Sequence, residues 1–385
     1  MTRLRAPFLD DPDASAVMSM LVQGGHQAWF VGGCVRNALL KRPVNDLDVT
    51  TDARPERVIE LAGQAGLRSV PTGIDHGTIT VISGGAPFEI TTFRRDVVTD
   101  GRRATVAFSD TIDEDAARRD FTMNAIYAAP DGTLADPVGG LPDLEARKVR
   151  FIGDPALRIE EDYLRILRFF RFHAIYGDPE GGIDAEGLAA CTTHLDGIPR
   201  LSRERVGAEM MKLLAAPDPA PSLASMQASF VLNAVLPGAA AEAVTILIHL
   251  EEGRPPDPVR RLAALGGEGV AERLRLSKAH ARRLTTLRDA ALGDWGLAEM
   301  GYRLGARDAE DAALVRAALA QQALTQGQLD ILRDAAARAF PVSARDLMPD
   351  HEGPALGARL RRLETRWIAS GFRLSKEELL SDEPD

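Results

Sequence analysis

The sequence predicts an α+β protein in which a small mixed-sheet head is followed by an all-helical neck, body and tail. Three observations predict it. Short β-rich runs alternate with helical patterns over the first 150 residues, strand signals nearly vanish after Pro155, and long apolar-periodic segments fill the rest. At 385 residues the chain exceeds one ordinary hydrophobic core, so more than one domain is expected. We divide it into a head at 1–150, a neck at 151–215, and a body and tail at 216–385.

The elements follow in order. Head strands are expected at 28–31, 46–51, 78–82 and 88–93, bordered by turn-formers such as Gly32-Gly33, Arg42-Pro43, Gly84-Gly85 and Asp131-Gly132. Helical patterns cover 34–41 and 55–66, and a third follows Asp113, whose acidic first turn suits a helix N-terminus. Beyond the head, apolar periodicity predicts helices at 159–173, 203–214, 240–250, 308–322 and 329–339. Pro-rich breaks at 216–221 and 254–258 separate them. Ser202 followed three residues later by Arg205 is not a capping box, so the start of the 203–214 helix is less sharply marked than its periodicity.

Composition narrows the class of function. Hydrophobic residues at 45% and charged residues at 26% describe a folded globular chain. No run approaches the roughly 18 apolar residues of a membrane-spanning helix. The residues after Met1 turn acidic instead of forming an apolar stretch, so no signal peptide is expected. Two distant cysteines, Cys34 and Cys191, exclude a disulfide framework and a multi-cysteine zinc site, which makes the cytoplasm the default compartment. A net charge of −10 argues by itself against nucleic acid. Phosphate contacts depend on local cations, however, and arginines cluster at 94–95, 102–103, 118–119, 158–171, 260–261, 273–283 and 359–366. A solvated helix face is the plainer reading of any one cluster; together they permit an RNA partner.

Residue types then point to chemistry. Residues 29–40 read strand, Gly32-Gly33, helix: two glycines let the backbone approach a phosphate closely, and the helix start offers free N–H groups. Arg36 falls in the first turn, where its fork could reach a triphosphate. Asp46 and Asp48 lie two apart on an expected strand and so project from one face. Adjacent carboxylates repel and stay ionised when a cation lies between them, and their hard oxygens suit Mg²⁺. Glu89, in an apolar strand, is a candidate third carboxylate, with Asp120 a second candidate for the same place. Each feature has a structural alternative: a common turn, an Asp-rich loop, or a salt-bridged Glu. His76 follows Asp75 with no supporting ligand cluster and reads as a strand-edge residue.

In combination these motifs resemble the polymerase β nucleotidyltransferase superfamily: Gly32-Gly33-x-Val35-Arg36, then Asp46-x-Asp48 about a dozen residues on. Glu114-Asp115-x-x-Arg118-Arg119-Asp120-Phe121-Thr122-x-Asn124-Ala125 looks like its branch of class II tRNA nucleotidyltransferases and bacterial poly(A) polymerases. Asn37 stands where that family usually carries Asp, which puts that side chain's usual partner in doubt.

Residues 160–172 read as a helix in which Asp162, Arg165, Arg168 and Arg171 form a polar stripe, with Leu164, Leu167, Phe169 and Phe172 facing packing partners. Cytosine and adenine each present an amino donor beside an unprotonated ring nitrogen, whereas uracil and guanine present a carbonyl beside a ring N–H. An Asp–Arg pair therefore accepts the first two and leaves charged groups unpaired against the others. The resemblance assigns that role to Glu161-Asp162-x-x-Arg165, with Arg168 and Arg171 completing the pocket and Arg119 also touching the nucleotide. It further implies a flexible loop at Gly101-Arg102-Arg103, a neck helix over 201–214 and a faint tail signature at 353–357. The implied activity is addition of CMP and AMP from CTP and ATP to the 3′ end of tRNA, with Mg²⁺ on Asp46 and Asp48. A poly(A) polymerase, a CC-adding or A-adding specialist, and a catalytically inactive RNA-binding protein are the alternatives.

Overall fold

The computed structural model describes residues 3–96, 106–348 and 351–381. Helix α1 (Pro12–Gln23) starts at Asp11, whose carboxylate accepts hydrogen bonds from the N–H groups of Asp13 and Ala14. The head then runs β1 (Trp29–Val31), α2 (Gly33–Leu39), β2 (Asp48–Thr51), α3 (Pro55–Gln64), β3 (Arg68–Gly73), β4 (Thr78–Ser83) and β5 (Ala86–Thr92). A two-stranded ribbon, β6 (Arg94–Asp96) with β7 (Val106–Phe108), leads to α4 (Ile112–Ala117), β8 (Tyr127–Ala128), β9 (Leu134–Ala135) and α5 (Gly140–Glu145).

Seven strands form the main sheet in the order β3-β4-β5-β2-β1-β8-β9. Its pairings are antiparallel except β2 with β5, which run parallel. Strict alternation in β4 buries Ile79 and Val81, while β5 buries Phe88 and Ile90. Helices α1 and α3 pack on this sheet through Val17, Leu21, Val58 and Leu61, all fully buried or nearly so. The four expected strands are present; β3, at one edge of the sheet, carries Pro71 and Gly73 instead of apolar alternation, and β8 and β9 are two residues each, too short to show a period. The expected head sheet is thus mixed, as its pattern implied.

The neck corrects one expectation. The helix read across 160–172 is broken: α6 (Pro155–Glu161) stops and α7 (Leu164–Tyr176) begins anew. Asp162 takes an extended backbone (φ −154°, ψ 102°), its carboxylate accepts from Leu164 N–H at 3.1 Å, and its carbonyl accepts from Arg165 N–H at 2.9 Å. A short acidic side chain offering the backbone a local turn competes with the helical ladder, and here it wins. The apolar face of α7 is buried as expected: Phe169 and Phe172 pack with Phe121 and Phe151 at ring separations of 4.9 to 6.3 Å. A further helix, α8 (Ala185–Thr193), follows.

Close packing divides the chain into two compact units, 1–201 with 229–231, and 202–228 with 232–385. The neck expected to reach 215 is therefore split, its last helix (Arg203–Leu214) lying in the second unit. That helix starts at Ser202, whose hydroxyl accepts from Arg205 N–H with no reciprocal carboxylate. Gly207 lets it close on a neighbour: a Cβ there would fall 1.9 Å from the Leu274 carbonyl oxygen. The remaining expected helices appear as Glu242–Leu250, Leu297–Leu319 and Gln326–Ala336, the second bent at Gly305.

The second unit is held by a buried ion network. Glu251 accepts from Arg260 and Arg261 at 2.7 Å each, and Asp311 accepts from Arg260 at 2.7 Å. Arg261, 1% exposed, also donates to the carbonyls of Leu214, Ala216 and Pro217. Arg283 is held by Asp257, Asp308 and Asp311. Arg260, Arg261 and Arg283 belong to the clusters that sequence leaves open to RNA; their charges are instead spent inside the fold.

Candidate active site

The Gly32-Gly33 turn sits between β1 and α2 with Gly32 at φ 74°, ψ −124°, a conformation that disfavours any side chain. A Cβ there would lie 3.6 Å from Arg119 Nη1 and 3.8 Å from Asp48 Oδ2. Three features far apart in sequence, the turn, a carboxylate and a guanidinium, therefore meet at one place.

Asp48 opens β2, and Asp46 lies just before the strand instead of within it. Both are exposed, as is Glu89. The parallel register sets Asp48 beside Glu89, on the polar face of β5 between buried Phe88 and Ile90. Glu89 thus bears no burial cost, contrary to the reading of its strand as uniformly apolar, and needs no Arg partner on that account. The protein around the Asp48 carboxyl raises its pKa by desolvation, and Glu89 and Asp46 add like charge that raises it further, against Arg119 and Arg36. Asp120, the other candidate third carboxylate, is committed elsewhere: it is buried and accepts from Phe121 N–H, Asn124 Nδ2 and Arg168 Nε at 2.8 Å each.

These donors fit a divalent cation. Among the described residues no group of three or more His, Cys, Asp or Glu side chains is arranged to hold a metal ion. A hard cation that keeps waters and takes substrate phosphates requires just one or two protein carboxylates, and unneutralised like charge at a solvent-open edge is what such an ion relieves.

Arg36 is placed differently from expectation. It is 7% exposed, stacks on Tyr176 at 4.1 Å, and donates to Tyr176 Oη at 2.7 Å and to Asn124 Oδ1. Asn37, in the position where Asp was expected, accepts from Arg36 Nε and Nη2 at 3.2 and 3.0 Å, so the contact survives without the charge. The guanidinium backs the turn from within: a Cβ on Gly33 would lie 3.8 Å from its Nη2. Desolvation lowers its pKa.

Arg119 is aimed by residues that spacing did not single out for the purpose. Asp115, fully buried, accepts from Arg118 through one oxygen (2.9 and 2.7 Å) and from Arg119 through the other (3.2 and 2.9 Å). Burial would raise the Asp115 pKa, yet the two guanidinium groups outweigh it and hold the carboxyl down at about 2, from an ordinary 3.8. Its stabilising charge is therefore fully present above pH 4 or so and fades as the pH falls towards 2. The acidic first turn was legible; that this one acid is a hub was not.

On the neck, Arg165 donates to the carbonyls of Arg158 (2.8 Å) and Arg118 (3.0 Å) and to Glu161. Arg168 is paired with Asp120, and Arg171 lies over the Phe172 ring at 4.6 Å. Asp162 and Arg165 thus flank a helix break instead of sharing one helical face. Gly101, Arg102 and Arg103 lie outside the described residues. His76 closes a short turn, its carbonyl accepting from Arg94 Nη1 at 2.6 Å.

Comparison with known proteins places the whole chain among relatives. Residues 28–150 match the family described as Poly A polymerase head domain, and residues 182–242 match the one described as Probable RNA and SrmB-binding site of polymerase A. The mitochondrial CCA tRNA nucleotidyltransferase 1 of Mus musculus is 33% identical over 95% of this chain and 88% of its own length. A CCA-adding enzyme of Streptococcus pyogenes is 40% identical over 53% of this chain and 50% of its own length. The crystal structure of the Bacillus stearothermophilus CCA-adding enzyme in complex with CTP superposes with a TM-score of 0.72 at 26% identity, covering 97% of this chain and 96% of that one.

Proposed function

The chain belongs to the family of CCA-adding tRNA nucleotidyltransferases built on the poly(A) polymerase head, and from that premise we propose how its own residues divide the work. The enzyme adds CMP and AMP from CTP and ATP to the 3′ end of tRNA and releases pyrophosphate, without a nucleic-acid template. The observation that carries the assignment is the meeting of the Gly32 turn, Arg119 and the Asp48 carboxylate, with Glu89 in register beside it.

The tRNA 3′-hydroxyl gives up its proton to solvent and its oxygen bonds to the α-phosphorus, while the bond to the bridging oxygen breaks and pyrophosphate departs with that bond's electron pair. Asp46 and Asp48 are the residues that would hold a divalent cation, Mg²⁺ on this reading, which supplies charge neutralisation and a more acidic hydroxyl when bound. Gly32 and Gly33 bring backbone N–H groups to the triphosphate, Arg119 donates to it directly, and Arg36 contributes its field from behind the turn. Glu89 is the third carboxylate of the catalytic set. Asp162 accepts the amino hydrogen of cytosine or adenine and Arg165 donates to the ring nitrogen, exchanging one of its present carbonyl acceptors for the base. Arg168 and Arg171 wall the pocket. The functional division remains a catalytic head, a base-reading neck and a tRNA-binding body. A cytoplasmic setting is part of the same proposal; its support is the two cysteines, buried and unpaired.

Incubating the enzyme with tRNA lacking its CCA, in CTP alone, ATP alone and both, and then sequencing the 3′ ends tests the activity. Both nucleotides together should give CCA; a long A tail from ATP alone would instead mark a poly(A) polymerase, and no extension an inactive binding protein. For the base reader, Asp162→Ala should shrink discrimination between CTP and UTP by about 1–3 kcal/mol, the worth of a bidentate base contact. Equal slowing with all four nucleotides would reduce Asp162 to its structural turn at Leu164.

The tRNA grip falls to exposed cations of the second unit that are not consumed by the ion network, such as Arg273, Lys278 and Arg282. Changing all three to Gln should weaken tRNA binding and flatten the plot of log K against log salt by about one for each phosphate no longer neutralised. An unchanged slope would move the grip elsewhere.

A further inference from the structure

Arg119 reaches the Gly32 turn with Nη1, while its other two nitrogens are occupied: Nε donates to Asp115 Oδ2 and Tyr127 Oη at 3.2 Å each, and Nη2 donates to Asp115 Oδ2 at 2.9 Å. Tyr127 Oη closes the triangle by donating to the same Asp115 oxygen at 2.9 Å. Asp115 and Tyr127 are both fully buried. Arg118 occupies the second Asp115 oxygen, so Arg119 has no alternative oxygen on that carboxylate to swing to. The clamp is built into the sheet that carries the turn: Tyr127 pairs in register with Val31, the residue immediately before Gly32.

We propose that Asp115 and Tyr127 are positioning residues for nucleotide binding: together they hold the Arg119 guanidinium in the orientation that turns Nη1 towards the Gly32 phosphate turn. This rests on the reading of Arg119 as a nucleotide contact. A free arginine side chain samples many rotamers, and freezing it on binding costs affinity; a guanidinium already locked on two sides meets the triphosphate as a preset donor. The clamp acts on the phosphate end, which CTP and ATP share. Its loss must therefore weaken both nucleotides by the same factor and leave base choice alone, which separates it from Asp162.

The test is Tyr127→Phe in the full-length enzyme, which keeps the buried ring and removes the hydroxyl. KM for CTP and for ATP should each rise roughly five- to tenfold, about the worth of one ordinary hydrogen bond. KM for tRNA lacking CCA and the preference for CTP over UTP should stay as they are. Arg119→Lys reads the same clamp from the other side: it keeps the charge, yet one ammonium cannot hold Asp115 in a fork and also face the turn, so it should raise both nucleotide KM values at least as much. A fall in melting temperature with both nucleotide KM values unchanged overturns the proposal, as does a rise confined to one nucleotide. So do wild-type nucleotide KM values in Arg119→Lys, which also decides the matter if Tyr127→Phe does not fold. Binding of CTP by calorimetry, measured on the same proteins, keeps this separate from the activity reading: an enzyme that binds CTP through the clamp but extends no tRNA would refute the activity and spare the clamp.

Discussion

Replacing Asp48 with alanine is expected to lower turnover roughly a thousandfold or more while leaving the protein folded. The carboxylate is exposed at the start of β2, the central strand of the sheet, in register with Glu89 and two residues from Asp46, and makes no ion pair with a described residue. Desolvation raises its pKa and the like charges of Glu89 and Asp46 add to that, outweighing Arg119 and Arg36, so its removal takes away a disfavoured charge instead of support. The melting temperature of Asp48→Ala should accordingly match or exceed that of the wild type. Single-turnover extension of tRNA lacking CCA is the measurement. Near-normal rates would remove Asp48 from the chemistry, and a collapsed melting temperature would make it structural.

The largest stability effect is expected in the second unit. Glu251 is 3% exposed and accepts from two buried guanidinium groups, Arg260 and Arg261. Glu251→Ala leaves those charges short of a shared partner in a low-dielectric interior, at a cost of about 3–5 kcal/mol. Asp311 still holds Arg260, but Arg261 keeps just the carbonyls of Leu214, Ala216 and Pro217. Denaturant unfolding should register the loss; a change below about 1 kcal/mol would mean that the carbonyl cage carries Arg261 unaided. Nucleotide binding by the head offers an internal control, since every residue assigned to it lies in the other unit.

Local pattern carried the head a long way. Short β-rich runs marked β1, β2, β4 and β5, and Gly32-Gly33 marked the turn, because strand composition and a backbone that excludes side chains leave their trace within a few neighbours. The same locality explains the errors. The 160–172 segment has a helix period throughout, and the Asp162 turn that interrupts it costs the pattern nothing, so the break was invisible. Glu89 looked stranded among apolar residues because a strand's two faces are interleaved in sequence and part only when the sheet assigns one of them to solvent.

For this protein the sequence determined the class of fold and the glycine turn, since each is set by residues next to one another; the i, i+2 spacing of Asp46 and Asp48 did not put both on a strand, because β2 begins only at Asp48. What tertiary structure alone decided is who neutralises whom. Arg36 and Tyr176 are 140 positions apart, Arg168 and Asp120 are 48 apart, and Arg260 and Asp311 are 51 apart. An arginine's charge is the same in every sequence window; whether it faces a phosphate or is used up inside depends on which carboxylate or aromatic ring folding brings within about 4 Å, where burial makes the pairing strong. Arg119 and Arg283 are indistinguishable as letters. Folding leaves one nitrogen of Arg119 facing the Gly32 turn and spends Arg283 on three carboxylates.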